Sequence, residues 1–279
     1  MNFCQCHEIE LTRVEHPATS SRIRLRLKLR NDPFAAYGIT HLSPSTCNLF
    51  IGSQAAFVLD KCLKKKGQVG AAAHRGTAVE KGIVYGLENS ATDEECINVA
   101  RDEFWKLSAL SGDPSHEKES NAVPEMVKIG LKELRGYGKP TSTQGKIEYR
   151  FDEIAVPFIG YYDIEWSNHN ILVDIKTTHA LPSKISTNHA RQVSLYAVAL
   201  GNAVDPRVTY VTPKKCATYR VENVSEHVKA LERIGSAIQR FLSISEDPLE
   251  LAKHVMPDVD SFYFKDPMAR QAVFEIWGI

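Results

Sequence analysis

The chain has 279 residues, of which 43% are hydrophobic and 24% are charged, a composition typical of a globular protein large enough to bury a full core. The 34 Lys and Arg residues balance the 34 Asp and Glu residues, so net charge does not indicate a nucleic-acid partner, although a local basic patch would suffice to bind one. We find no apolar run of about 18 residues and no signal-peptide pattern, so we expect a cytoplasmic protein without a membrane span.

The six cysteines are scattered along the chain, and only Cys4 and Cys6 stand close together, as a CxC. Paired CxxC motifs with the spacing of a zinc site are missing from the sequence. We therefore expect reduced, structural thiols.

The first 38 residues are predicted to form an N-terminal extension that contains a strand. The run RIRLRLKLR at 22–30 alternates between basic and apolar residues, which is typical of a strand with one positively charged face. This strand could guide DNA or form an extra edge of the domain. Further basic clusters lie at 61–66 and 213–215, and each of them could equally be a solvated face.

Helices are predicted for the next hundred residues. Ser43 or Ser45 can cap a helix that begins near Pro44 and ends at Gly67. Three further helices are expected, at 70–89, 92–111 and 122–137. A polar loop at 111–121 precedes the last of them. The helix at 70–89 is rich in small residues, which would let another backbone or a ligand come close.

The pattern then changes to strands. Strand-like runs rich in β-branched and aromatic residues lie at 145–154, 156–166, 171–179 and 206–213. Helices are expected between and after them, at 187–201, 223–244 and 266–278. This order predicts an α/β (α+β) fold, with a central mixed sheet flanked by helices and a helical region at the front, in a single domain at 39–279.

Two of these strands form a predicted hairpin that brings acids together. The run SNHN at 167–170 favours a turn, and pairing Trp166 with Ile171 places Asp163 opposite Asp174. Because side chains alternate along a strand, Asp174 and Lys176 share a face. The same register sets Tyr161 opposite Lys176.

Two facing carboxylates repel each other and weaken a hairpin unless a cation lies between them. Hard cations such as Mg²⁺ or Mn²⁺ prefer oxygen ligands, and the backbone carbonyl of Ile175 could supply another one. Lys176 could then orient or deprotonate an attacking water, or stabilise developing negative charge. This arrangement suits phosphodiester hydrolysis. The alternative is that Asp163, Asp174 and Lys176 are exposed polar residues of an edge hairpin.

These residues resemble the core motif of the PD-(D/E)XK nuclease superfamily, here as Gly160-Tyr161-Tyr162-Asp163 followed by Asp174-Ile175-Lys176. Other segments resemble the branch that includes the RecB nuclease domain and phage exonucleases. They are LSPSTCNLFIGSQAAFVLD, HRGTAVEKGIVYG, HARQVSLYAVALG and the terminal SFYFKDPMARQAVFEIWG. The resemblance covers about residues 40 to 279 and implies a restriction-endonuclease-like core.

The resemblance also implies roles for single residues. Asp163 and Asp174 would be metal ligands and Lys176 the catalytic lysine. Glu80 would be the third ligand, at a position where relatives often have histidine, and His74 is its rival. The remaining candidates would lie near the metal (Gln192), contact DNA (Tyr196, Ser43, Ser45, Lys214), or either support a helix or contact phosphate (Arg75).

The resemblance implies a Mg²⁺- or Mn²⁺-dependent DNA exonuclease of phage type, acting on linear duplex or single-stranded DNA in recombination, repair or degradation. It would work in the cytoplasm of a bacterial or phage-infected cell, with a single-strand annealing or binding protein as a possible partner. An iron–sulfur cluster is not expected, because Cys216 stands alone where members with a cluster have three cysteines. The alternatives are a structure-specific or nicking endonuclease of the same fold and a non-catalytic DNA-binding subunit.

Overall fold

The structure is a computed structural model, and it describes residues 32–65, 67–201 and 203–279. The strand predicted at 22–30 lies outside the described residues. The strands are β1 (Ser142–Tyr149), β2 (Phe158–Trp166), β3 (Ile171–Thr177), β4 (Asp205–Val211) and β5 (Cys216–Arg220). The helices are α1 (Pro44–Gly52), α2 (Gln54–Phe57), α3 (Ala71–Asn89), α4 (Asp93–Ser108), α5 (His116–Leu134), α6 (Thr187–Leu200), α7 (Val224–Leu242), α8 (Pro248–Ala252) and α9 (Pro267–Trp277).

The strands form one mixed sheet in the order β1-β2-β3-β4-β5. Strands β3 and β4 run parallel and are connected through α6, whereas the other neighbouring pairs are antiparallel. The mixed sheet flanked by helices is therefore confirmed. The fifth strand, β5, was not predicted, because its residues are half-buried or exposed and show no clear alternation.

Two predicted boundaries in the helical region were wrong. The helix expected from Pro44 to Gly67 is interrupted at Ser53, whose backbone is extended and whose side chain accepts the N–H of Ala56 to start a new helix. The chain then continues in a π-helical turn from Val58 to Cys62. The polar run at 111–121 is a loop only as far as Ser115, because α5 begins at His116.

Helices cover both faces of the sheet and enclose two hydrophobic cores. On one face α3, α4 and α5 pack against side chains that include Val173 and Ile175 of β3. On the other face α6 packs against side chains that include Leu172 of β3, and α1 and α7 pack against α6. Phe34 and Tyr37 lie in this second core, so its packing extends across the expected domain boundary at residue 38.

The small residues of α3 have a packing function. A Cβ atom placed on Gly82 would lie 2.7 Å from the carbonyl oxygen of Cys96, and one on Gly86 would lie 2.6 Å from the Cys96 sulfur. The close neighbour of this helix is therefore α4. In the part of the chain that the structure describes, no helix is long and apolar enough to cross a bilayer.

The predicted hairpin turn is confirmed, and the predicted register holds only for the residues next to the turn. Residues Ser167–His169 form a single helical turn between β2 and β3. Trp166 pairs with Ile171 and Ile164 pairs with Val173. Within the described residues this ladder ends at Ile164, so the backbone pairing predicted for Asp163 with Asp174, and for Tyr161 with Lys176, is not formed. The two strands separate before those positions are reached.

Candidate active site at the separation of β2 and β3

Regular alternation fails in β1 and β2 at two positions that stand opposite each other. In β2, Tyr162 faces the α6 side of the sheet, whereas Ile164, two residues later, faces the α3 side. Residues on each side of Gln144 in β1 keep the register with β2, but Gln144 itself has a φ of 52° and interrupts the pairing. Both strands therefore rotate about their axes at Gln144 and Asp163, where β2 also leaves β3.

The side chain of Asp163 fills the gap that this separation opens. It is 7% exposed, and its Oδ2 accepts the backbone N–H of Ile175 at 2.6 Å, in place of a strand-to-strand hydrogen bond. Ile175 thus contributes its amide to the site, and its carbonyl remains a predicted ligand. Burial raises the pKa of Asp163 well above its usual range, and the neighbouring charges of Asp174 and Glu80 raise it further.

Glu80 reaches the same place from α3. It accepts a hydrogen bond from the side-chain amide of Gln144, and its charge acts on the neighbouring Asp163. Burial raises the pKa of Glu80, and the charge of Asp174 adds to this effect. His74, the alternative candidate for the third metal ligand, is rotated by about 120° around the helix from Glu80. Among the described residues it forms no hydrogen bond or ion pair with the acids.

Asp174 and Lys176 form the centre of the site on β3. The Asp174 side chain is completely buried, and Lys176 Nζ lies 2.6 Å from its Oδ2. Despite this ion pair, Oδ2 has no hydrogen bond of regular geometry to any described residue. Burial alone would lower the pKa of Lys176, but the charges of Asp174 and Asp163 outweigh it and hold the pKa above its usual value.

Gln192 reaches Asp174 from α6, on the opposite face of the sheet from Glu80. Its Nε2 donates to Asp174 Oδ1 at 3.2 Å and to the hydroxyl of Tyr196 at 2.9 Å. Tyr196 was expected near DNA, but it is only 3% exposed, and its ring packs directly over Gly160. It therefore supports Gln192 from the core.

Arg75 occupies a buried position in which it ties α3 to α5 and to the end of β3. Its guanidinium forms an ion pair with Glu119 and donates to the Thr177 carbonyl at 3.2 Å. His179 Nε2 lies 2.9 Å from both Arg75 Nη1 and a Glu119 oxygen. Arg75 is 4% exposed, so its observed contacts fit the predicted role of supporting the helix and not that of binding a phosphate.

The remaining candidates for DNA contact lie outside this cluster. Ser43 caps α1 by accepting the N–H of Thr46, and its hydroxyl lies 2.8 Å from that of Ser45, which is exposed. Lys214 is exposed in the turn between β4 and β5. The structure joins none of these three side chains to the acids by a hydrogen bond or ion pair within the described residues.

Gln144 was not predicted from the sequence to be a residue of this site. It stands between threonine and glycine in a strand, and nothing in its local pattern indicates a left-handed backbone or a contact with α3. Only the resemblance of 74–86 to a motif helix, combined with the position of Asp163, could have directed attention to the strand residue opposite.

The three acids fit a hard cation in their chemistry. Three carboxylates converge on one ammonium, and Asp174 Oδ2 is a buried oxygen without a regular hydrogen bond. Oxygen ligands of this type suit Mg²⁺ or Mn²⁺. As arranged, no group of three or more His, Cys, Asp or Glu side chains in the described ranges could hold a metal ion. Proton donors from Gln144, Ile175 and Lys176 engage the carboxylate oxygens instead.

Comparisons with known proteins identify no family for this chain. Neither the protein-family models nor the curated proteins contain a match. Among solved structures, one described as SSO0001 is similar over 58% of this chain and 74% of its own, with 17% sequence identity and a TM-score of 0.32.

Proposed function

We propose that this chain is a Mg²⁺- or Mn²⁺-dependent deoxyribonuclease with a PD-(D/E)XK-like core. One observation supports this above all others: Asp163, Asp174 and Glu80 converge with Lys176 at the point where two strands separate. The hairpin register accounts for the proximity of Asp163 and Asp174, but Glu80 comes from a distant helix, α3, and joins them only through the fold. Buried acids that outnumber their cationic partners are costly, which argues for a function that needs them.

In the proposed mechanism Glu80, Asp163 and Asp174 would hold the cation, with the Ile175 carbonyl as a further ligand. When bound, the cation supplies Lewis-acid polarisation of the phosphoryl group. Lys176 stands beside Asp174 and can orient the attacking water or stabilise negative charge on the phosphate. Gln192 on α6 donates a hydrogen bond to Asp174, and the N–H of Ile175 donates one to Asp163. Both carboxylates are therefore fixed in position before DNA binds.

Two features of the topology support the PD-(D/E)XK-like core. Asp163, Asp174 and Lys176 lie on an antiparallel hairpin, β2-β3, and the next strand runs parallel to β3 after a helical crossover. That crossover helix, α6, carries Gln192, which donates to Asp174. Within this proposal the substrate is DNA with a free end, in recombination, repair or degradation. A single-strand annealing or binding protein is the proposed partner.

The test is cleavage of end-labelled linear duplex DNA by the purified chain in Mg²⁺, with EDTA as the negative control. We expect Lys176→Ala and Asp174→Ala to abolish cleavage while circular dichroism shows a retained fold. Lys229→Ala, at an exposed position of α7, is the matched control and should cleave normally. A Lys176→Ala protein that digests DNA at the wild-type rate would refute the proposal.

A covalently closed plasmid separates the exonuclease from an endonuclease of the same fold. An exonuclease leaves the closed circle intact and degrades it only after linearisation, whereas a nicking or structure-specific endonuclease relaxes or linearises it. A chain that binds DNA but cleaves neither form in Mg²⁺ or Mn²⁺ would be a non-catalytic binding subunit.

A further inference from the structure

His189 is a half-buried side chain beside the candidate active site that none of the roles above uses. It lies on α6, three residues before Gln192 and hence on the same side of the helix. Its Nδ1 lies 2.7 Å from the hydroxyl of Tyr210, and the two rings are tilted against each other with their centroids 5.6 Å apart.

Tyr210 connects His189 to the strand of the catalytic lysine. In the parallel β3–β4 pair Tyr210 is the register partner of Lys176, so the two side chains project from the same face of the sheet. Tyr210 and Leu172, which is on the Lys176 face of β3, both belong to the core beneath α6. His189 therefore lies over the part of the sheet that carries Lys176.

The hydrogen bonds around Tyr210 leave a proton that Nδ1 of His189 can accept. The Tyr210 hydroxyl accepts the backbone N–H of Ser186 at 3.2 Å, so its own proton is available to His189 Nδ1. With Nδ1 as acceptor, the neutral imidazole has its hydrogen on Nε2. Ser186 also fixes the backbone of His189, whose N–H donates to the Ser186 hydroxyl at 3.3 Å.

Nε2 of His189 forms no hydrogen bond with any described residue, although the ring is held firmly through Nδ1. Burial lowers the pKa of His189, and the positive charge of Lys176 lowers it further, against a smaller opposing effect of Asp174. A neutral ring that accepts the Tyr210 proton at Nδ1 presents Nε2–H as a hydrogen-bond donor near Lys176.

We propose that His189 is a substrate-contacting residue of this site, whose Nε2–H donates to a phosphate oxygen of the DNA strand that lies beside Lys176. This inference rests on the proposed nuclease function and adds to it a contact from the crossover helix. A fixed neutral donor beside an ammonium suits a phosphate diester, which offers acceptor oxygens and one negative charge. Tyr210 is then a positioning residue that acts through His189.

Two amide substitutions separate the contact with DNA from the contact with Tyr210. In His189→Gln the side-chain amide reaches the position of Nε2, whereas in His189→Asn it reaches only that of Nδ1. If Nε2–H contacts DNA, KM for linear duplex should rise about tenfold in the Asn variant, with kcat changed much less, and should stay near the wild-type value in the Gln variant. A merely structural role would favour Asn, which can keep the Tyr210 hydrogen bond.

A second measurement records DNA binding without cleavage, by fluorescence anisotropy of a labelled duplex in Ca²⁺. The Asn variant should bind about tenfold more weakly and the Gln variant nearly as tightly as wild type. If the wild-type chain cleaves DNA and both variants match it in KM and Kd, the inference about His189 fails and the nuclease proposal stands. A wild-type chain that neither binds nor cleaves DNA would overturn both.

Discussion

Asp163 accepts the backbone N–H of Ile175 at 2.6 Å, so that a side chain of β2 completes the hydrogen bonding of β3 where the two strands separate. One carboxylate oxygen thus maintains the sheet, while the residue as a whole belongs to the acidic cluster. Asp163 consequently has a structural and a chemical role, and suitable substitutions should separate them.

Asp163→Asn should keep the fold and lose the activity. The Asn oxygen can still accept the N–H of Ile175, and removal of one buried charge relieves repulsion from Asp174 and Glu80. The free energy of unfolding without metal should therefore not decrease, while kcat on linear duplex falls about 100-fold or more. Urea unfolding and end-labelled DNA cleavage measure the two quantities.

Asp163→Ala is the contrasting variant. It leaves the buried N–H of Ile175 without an acceptor, which should lower the free energy of unfolding by about 1–3 kcal/mol relative to Asp163→Asn. Equal stability of the two variants would show that this hydrogen bond does not hold the strands at their separation.

Divalent cations should stabilise the chain specifically. Glu80, Asp163 and Asp174 repel one another around a single ammonium, so a cation that binds them should raise the melting temperature at neutral pH. At a free cation concentration of about one hundred times Kd, binding should increase the free energy of unfolding by about 2.7 kcal/mol. Differential scanning fluorimetry with Mg²⁺, Mn²⁺ or Ca²⁺, against NaCl of equal ionic strength, measures the shift.

The same experiment on two variants locates the effect. Asp174→Asn should remove most of the shift, whereas Glu94→Gln, at an exposed position of α4, should leave it unchanged. A shift that persists in Asp174→Asn would assign the stabilisation to another part of the chain.

The sequence predicted the features of this site that depend on local rules. The SNHN turn determines the register of Trp166 with Ile171, and alternation then assigns Asp174 and Lys176 to one face. The rotation of β1 and β2 at Gln144 and Asp163 was not predictable in this way. It depends on contacts of both strands with α3, and no local pattern records contacts between distant segments.

The missed start of α5 has a different cause. The residues from His116 to Asn121 are all polar, and all except Glu119 are exposed or half-buried, so their composition resembles that of a loop. Glu119 is the exception: it is buried and forms the ion pair with Arg75, a tertiary contact that the sequence did not reveal. Polar residues at a helix start and in a loop look alike until their partners are known.

Gly160→Ala should destabilise the chain and weaken catalysis together. A Cβ atom at this position would lie 2.3 Å from Cε1 of Tyr196, so the ring must move, and its hydrogen bond to Gln192 must move with it. We expect a loss of about 1–3 kcal/mol in the free energy of unfolding and a lower kcat. Gly136→Ala, where a Cβ atom meets no neighbour within 4 Å, is the matched control. Wild-type kcat in Gly160→Ala would argue against the support of Gln192 by Tyr196.

Breaking the Arg75–Glu119 pair should cost far more than breaking an exposed pair. Both side chains are 5% exposed, so Arg75→Met leaves a buried carboxylate and should lower the free energy of unfolding by about 3–5 kcal/mol. Replacing both partners, as in Arg75→Met/Glu119→Leu, should recover part of this loss, because no buried charge remains unpaired. Lys128→Met breaks the exposed pair with Glu125 and should have little effect. Urea unfolding of wild type, Arg75→Met, Glu119→Leu and the double variant tests the coupling. A loss in the double variant equal to the sum of the two single losses would contradict it.

Exposed lysines should determine how DNA binding depends on salt. If Lys214 in the β4–β5 turn contacts a phosphate, Lys214→Ala should weaken binding and reduce the slope of log K against log salt by about 0.9. Lys139→Ala, exposed just before β1, is a control of equal charge. Anisotropy titrations of labelled duplex in Ca²⁺, at a series of NaCl concentrations, yield the slopes. Equal slopes for Lys214→Ala and wild type would place the DNA away from this turn.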